Sequence, residues 1–302
     1  MTLRQTLLQA AGRVRATRPD VAARAAAFVR ACACPGGGFA DRSGRADLYY
    51  TVFGLQTLAA CEPDNSRADD SNDSRAYLAR FDPADLDFVH LCCLARCRAL
   101  LSDAPSAEVR ESLPARLETF RAADGGYSHM PGAAHGTAYG AFLALGAWED
   151  AGARLPDVDR LAESLARLRA ADGGYANVPG AETGLVPSTA AAVVTLAALG
   201  RTVDDATVEW LLAQQRPTGG WPAAPAVPTA DLLSTATALH ALAAAGGSLE
   251  ETARAAARAF VESLAEEATG SSGPAGFRGH PAERRADCEY TFYALLALGH
   301  LA

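Results

Sequence analysis

The 302-residue chain has no apolar run long enough for a bilayer span, which excludes a membrane-crossing helix on sequence grounds. It also lacks any stripe of Lys and Arg. With a formal net charge of -8, the phosphate attraction that drives nucleic-acid binding is missing, so no nucleic-acid partner is expected. Alternating β-branched segments bounded by hairpin turns are absent too, which excludes a sheet architecture. The segment 1–18 carries Arg4, Arg13, Arg15 and Arg18 spread among apolar residues, a pattern that suits an amphipathic helix and not a signal peptide. A cytoplasmic protein is expected. Seven cysteines, an odd number without a secretory leader, do not read as a disulfide framework. Cys32 and Cys34 form a C-x-C and Cys92, Cys93 and Cys97 a C-C-x-x-x-C, but no second pair stands at zinc-ligand spacing. These thiols read as small buried hydrophobes.

What the chain does have is a period. DGGYSHMPG begins at Asp124, DGGYANVPG at Asp172, TGGWPAAP at Thr218, AGFRGHP at Ala275 and GGGFADRSG at Gly36. Each joins glycine to an aromatic residue, and each precedes an Ala/Leu-rich helical run. Self-similarity at this period signals stacked supersecondary units. The runs begin at Asp47, Asp85, Ala134, Ser188, Ser234 and Asp287, and five of these six are residues that cap helix N-termini. Gly146, Gly200, Gly246 and Gly299 fit C-terminal caps. With few charges, these runs should form an inner ring. More amphipathic segments, at roughly 20–33, 73–81, 106–121, 157–169, 203–215 and 249–267, should form an outer ring. The acidic stretch 64–73 reads as a solvated loop. The expectation is an all-α fold, one (α/α)6 toroid domain over 1–302, with repeats near 20–60, 73–101, 106–147, 157–200, 203–246 and 249–301.

The turn at Gln215-Arg-Pro-Thr-Gly219-Gly-Trp221, with the DGGY copies, resembles the Q-x-x-x-G-x-W repeat of the prenyltransferase and squalene-cyclase superfamily. That resemblance implies an α/α barrel whose apolar lumen binds isoprenoid chains. The chain ends are similar to β subunits of protein prenyltransferases, in which one inner helix opens D-x-C, the next opens D-x-x-H-T, and Asp, Cys and His hold zinc. FRGHPAERRADCEYTFY, from Phe277, resembles the first segment, and GGGFADRSGRADLYYTVFG, from Gly36, the second. A six-repeat ring that closes on itself makes them neighbours. Asp287 matches the Asp ligand, but Glu289 stands where the Cys belongs and Tyr50 where the His belongs. Cys288 is one position off, about 100° around the helix. Hard oxygen donors are unsuited to activating a thiolate, so no zinc-thiolate chemistry and no cofactor are expected, with Zn or Mg left open.

The candidate catalytic residues are therefore Asp287, Glu289, Tyr50 and Asp47, with no metal ligand assigned. Arg278, His280, Arg284 and Arg285 lie where the family places basic residues for diphosphate. Tyr49, Tyr290, Phe292 and Tyr293 are candidates to line the chain site, because aromatic faces attract carbocations. Plain N-capping is the competing role for the aspartates, and core packing for the aromatics. The functional expectation is an enzyme that transfers or cyclises a prenyl chain, its partner an isoprenoid or a prenyl diphosphate. Two alternatives stand beside it. One is a non-catalytic lipid- or protein-binding toroid, its lumen packed shut by alanine. The other is a β-subunit-like partner of a helical α subunit.

Overall fold

The computed structural model describes residues 1–63, 70–101, 105–266 and 276–302. After α1 (Leu3–Gly12) and α2 (Val14–Thr17), helices come in outer–inner pairs. These are α3 (Pro19–Ala31) with α4 (Leu48–Cys61), α5 (Asp70–Leu78) with α6 (Phe88–Leu101), and α7 (Ala107–Glu118) with α8 (Ala138–Asp150). They continue as α9 (Val158–Arg167) with α10 (Val186–Ala198), α11 (Asp205–Ala213) with α12 (Leu232–Ala244), and α13 (Glu251–Ser263) with α14 (Cys288–His300). Each inner helix packs on the next, and α14 returns to α4, so the ring is closed. Among the described residues, no helix is long and apolar enough to cross a membrane.

The turns explain the period. Gly37, Gly125, Gly173 and Gly219 have φ of 91°, 93°, 97° and 98°, a backbone that costs an L side chain strain. At Gly219 a Cβ would also stand 2.0 Å from the Ala256 carbonyl oxygen. In four of the turns the aromatic residue is fastened by a threonine on the inner helix. The Phe39, Tyr175, Trp221 and Phe277 amides donate to Oγ1 of Thr51, Thr189, Thr235 and Thr291 at 3.0, 2.8, 2.9 and 3.1 Å. Three short antiparallel pairings close the turns of repeats one, five and six, between Phe39 and Asp47, Trp221 and Asp231, and Phe277 and Asp287. The Asp of DGGY serves the turn as well: Oδ1 of Asp172 accepts the amides of Gly174 and Gly184.

Several boundaries differ from expectation. Asp47 and Asp287 cap α4 and α14, but Asp231, not Ser234, caps α12, and Thr137 caps α8. Ser188 lies inside α10, which starts at Val186 with Pro187 in its first turn. Asp85 ends a short 3-10 turn, and the Asp87 carboxylate takes the His90 amide instead. Part of the acidic stretch is helical, since α5 starts at Asp70, and 64–69 fall outside the described residues. Gly200 and Gly246 have positive φ after their helices, as caps should. Gly146 and Gly299 are instead inside α8 and α14. Their role is close approach: a Cβ on Gly299 would come within 1.9 Å of the Ala10 carbonyl oxygen.

That approach seats α1 across the C-terminal ends of the inner helices, against α14, α4 and α8. The Leu3 amide donates to Glu149 at 2.7 Å, and Arg4 Nε donates to Asp150 at 2.8 Å. Arg96 of α6 bonds the same Asp150. One end of the ring is thereby closed by the chain's own first helix, and the turns surround the other.

Candidate functional site

Inside the ring lies a mainly apolar cavity of about 450 Å³, so the alanine-rich helices do not pack it shut. Its size falls in the roughly 300–1,000 Å³ range of small-molecule sites. Tyr49, Phe53, Tyr139, Phe142, Phe292 and Tyr293 form much of its wall. Phe53 is central to this group, with ring centroids 5.0 Å from Tyr49, 5.5 Å from Tyr293 and 6.1 Å from Phe292.

Glu289 stands one helical turn above Tyr293 on the same face of α14, at the mouth end of this wall. It is 8% exposed, and its Oε1 accepts the Tyr49 hydroxyl at 2.7 Å. Burial raises its carboxyl from 4.5 to about 7, with the Asp287 charge adding to the rise and the Tyr49 hydrogen bond opposing it. Tyr49 is itself raised, by burial first and then by the Tyr293 and Glu289 charges. The acid is thus half protonated near neutral pH and in contact with a phenol that lines the cavity.

Asp287 is 5% exposed, and its Oδ1 accepts the Tyr290 amide at 2.9 Å as the α14 cap. Its Oδ2 accepts Nε of Arg42 at 2.8 Å, and the same guanidinium donates to Glu283 at 3.1 Å. Burial raises the Asp287 carboxyl despite these partners. The Arg42 guanidinium lies 5.4 Å from the centre of the Tyr290 ring, a cation–π contact. Arg42 sits in the first-repeat turn and closes the seam to the sixth repeat. Sequence reasoning missed it; the only signal was its place inside the Gly36 segment already assigned to the seam.

The remaining candidates divide. Tyr50 is half-buried, and burial and the Asp287 charge push it up to about 12. Asp47 accepts the Tyr50 amide as the α4 cap and is only partly buried. Tyr290 belongs to the Arg42 cluster, and Phe292 and Tyr293 to the cavity wall. Arg278 is committed to structure, donating to the carbonyls of Ser263, Leu264 and Glu283, which argues against its holding a diphosphate. The His280 Nδ1 takes the Ala282 amide within its own turn. Arg284 and Arg285 are exposed and pair with none of the described residues. The structure therefore brings Asp287, Glu289, Tyr49, Tyr50 and Tyr290 together at the seam, with Arg42 added.

This cluster does not fit a zinc–thiolate centre. Asp287 is taken by Arg42, Glu289 by Tyr49, and the Cys288 thiol lies buried against that of Cys32, which raises it. Among the described residues no three His, Cys, Asp or Glu are grouped to hold a metal ion.

Comparison with known proteins gives the same frame. No curated protein sequence matches the chain. Among solved structures, protein geranylgeranyltransferase-I of Candida albicans, complexed with GGPP, superposes with a TM-score of 0.66 at 13% identity, over 92% of this chain and 90% of that one. The type II terpene cyclase MstE from Scytonema gives 0.60 at 17% identity, over 94% and 96%. A variant of that cyclase in complex with geranylgeranyl dihydroxybenzoate gives 0.59 at 17% identity, over 99% and 98%. At these identities the likeness is one of fold. The family model for the prenyltransferase alpha-alpha toroid domain matches residues 21–84, 87–221 and 189–302. With the repeats, the closed ring and this match all covering most of its length, the chain belongs to the prenyltransferase α/α-toroid family.

Proposed function

We propose that this toroid is an enzyme that binds a polyprenyl chain in its lumen and starts its cyclisation by proton donation from Glu289 through Tyr49, without a metal in that step. The observation that carries the reading is the Glu289–Tyr49 contact of 2.7 Å on the wall of an aromatic cavity. In the proposed step the protonated Glu289 turns the hydrogen bond round and donates to the Tyr49 oxygen, which frees the Tyr49 O–H to face the substrate; that O–H bond then breaks toward an alkene carbon while Glu289 passes its own proton to the Tyr49 oxygen. The alkene becomes a tertiary cation, and Glu289 becomes a carboxylate. Phe53, Phe292 and Tyr293 then face that cation with their rings, an attraction that strengthens where water is excluded. Burial is what keeps the acid loaded, because it disfavours the carboxylate. Two of the structural neighbours carry a geranylgeranyl group in their ligands, which supports a chain of that class as substrate.

The test is incubation with geranylgeranyl diphosphate and with geranylgeraniol, with cyclic products read by gas chromatography and mass spectrometry. Glu289→Gln and Tyr49→Phe should each lose about 10² to 10⁴ in turnover, the usual contribution of general acid catalysis. Activity should be full below pH 7 and fall as pH rises through about 7, where Glu289 ionises. Unchanged turnover in Glu289→Gln would sink the assignment. A transfer reading has one observation behind it, the two exposed and unpaired arginines Arg284 and Arg285 before α14. Pyrophosphate release dependent on an added nucleophile, and lost in Arg284→Ala with Arg285→Ala, would replace cyclisation with transfer.

A further inference from the structure

The floor of the lumen, against α1, is chemically unlike its wall. At the deepest level the inner helices contribute Gln56, Arg96, Ala147, Val194, His240 and Leu296, with Leu7 of α1 beneath. Three of the six are polar, and these three include the two ionisable nitrogen side chains, Arg96 and His240, of a chamber whose other lining is aromatic and aliphatic apart from Asn177, Ser188, Thr237 and two cysteines. Arg96 NH1 donates to Gln56 Oε1 at 3.0 Å, and the Arg96 Nε bonds Asp150, which fixes both side chains. His240 is 7% exposed, and its Nδ1 is 2.9 Å from Nε2 of His300. The Nε2 of His240 is buried and has no hydrogen-bond partner among the described residues. Of the four buried side-chain atoms in that position, it alone belongs to a residue lining the lumen.

A buried polar atom without a partner is costly, and one in a ligand chamber is accounted for by a ligand atom. We infer that the lumen floor is a polar subsite, built from His240 with Gln56 and Arg96, that takes a hydroxyl at the inner end of the bound isoprenoid chain. The inference rests on the lumen being the ligand chamber. Burial lowers His240 to about 4 and His300 to about 3, so the pair is neutral and shares one N–H between the rings. Nε2 is then a donor or an acceptor according to which ring supplies that N–H, and a hydroxyl satisfies either form where a carboxylate or an ammonium would not. A plain hydrocarbon end would leave Nε2 unpaired. Because Nε2 is covered, seating the hydroxyl takes a small rotation of the surrounding side chains.

Farnesol and β-farnesene, which share a carbon skeleton, the second lacking the hydroxyl and carrying one more double bond, separate the possibilities by fluorescence titration of the intact protein. The wild type should bind farnesol about tenfold more tightly than β-farnesene, the size of one net hydrogen bond. His240→Leu should abolish that preference and leave β-farnesene binding as tight or tighter, while Glu289→Gln keeps it. Should His240→Leu fail to fold, His240→Met makes the same substitution of an apolar side chain with more freedom to repack. Equal binding of the two ligands by the wild type overturns the subsite and leaves the lumen reading intact. A preference that survives in His240→Leu but disappears in Glu289→Gln overturns it too, because the hydroxyl would then sit at the mouth. Failure of the wild type to bind either ligand removes both the subsite and the lumen reading.

Discussion

Glu289→Gln should change how folding stability depends on pH, and the effect can be worked from the structure. Glu289 is buried, with its carboxyl raised from 4.5 to about 7. Between those values the folded protein still holds the proton that the unfolded chain has lost. Stability therefore falls as pH rises across this window, and the full penalty is present above pH 7. A tenfold change in proton affinity corresponds to about 1.4 kcal/mol, so the rise from 4.5 to about 7 sets an upper bound near 3.5 kcal/mol, and relaxation around the charge brings the expectation to about 1–3. Glutamine keeps the shape and an acceptor for the Tyr49 hydroxyl but cannot ionise. His240 and His300 act in the opposite sense, since their folded values of about 4 and 3 lie below 6.5 and cost stability as pH falls below 6.5. Both proteins share that term, so it cancels in the difference. Urea unfolding of the two proteins at pH 5, 6, 7 and 8 gives the comparison directly. Glu289→Gln should gain about 1–3 kcal/mol on the wild type between pH 5 and pH 8. A difference that stays flat across the series would refute a raised carboxyl and, with it, the loaded acid.

Two further substitutions test the seam and the closed end. Arg42→Ala leaves the buried Asp287 without its cation and should cost about 1–3 kcal/mol in urea unfolding at pH 7, and less as the pH is lowered, because burial raises the Asp287 carboxyl and favours its neutral form. Gly299→Ala forces a Cβ to within 1.9 Å of the Ala10 carbonyl oxygen and should cost about 1–3 kcal/mol. Because the strain falls at the α1–α14 contact, hydrogen exchange should speed up in residues 3–12 before the rest of the ring, and unchanged protection there would count against α1 as the closing element.

Much of the ring was legible because the repeat carries its own physics. Glycine beside an aromatic plug recurs in five of the six turns, with positive φ at Gly37, Gly125, Gly173 and Gly219, and apolar inner helices follow, so the pattern survives one degenerate copy at Asp82 and Pro83. The seam was legible for the same reason: a closed ring must bring residues near 47 and 287 together. Helix starts were less so, because Asp231 and Ser234, or Asp85 and Asp87, are equally good caps on paper and only the turn length chooses between them. Glycine was ambiguous in the same way. Gly200 and Gly146 both end Ala/Leu runs, yet one turns the chain and the other admits a neighbouring side chain. The fastening threonines could have been found, since Thr189, Thr235 and Thr291 each stand fourteen residues after their turn's aromatic residue. Arg42 could not, because its partners lie more than 240 residues away and a loop arginine in sequence looks solvated.

Arg42 also explains why the two seam carboxyls differ. Both Asp287 and Glu289 sit at the N-terminal end of α14, where the helix dipole favours the ionised form. Among the described residues one guanidinium bonds at this place, and its geometry assigns it: Nε goes to Asp287, and the remaining nitrogens turn outward to Glu283. Among the described residues Glu289 receives one side-chain hydrogen bond, from the Tyr49 hydroxyl, and feels Arg42 only at a distance, together with the repulsion of the Asp287 and Glu283 carboxylates. Burial is then opposed by an ion pair at one acid and by a neutral hydrogen bond at the other, which suits Asp287 to closing the seam and Glu289 to the proton donation proposed for it. Glu289 is thus, in this ring, an acid held out of direct contact with the seam's guanidinium.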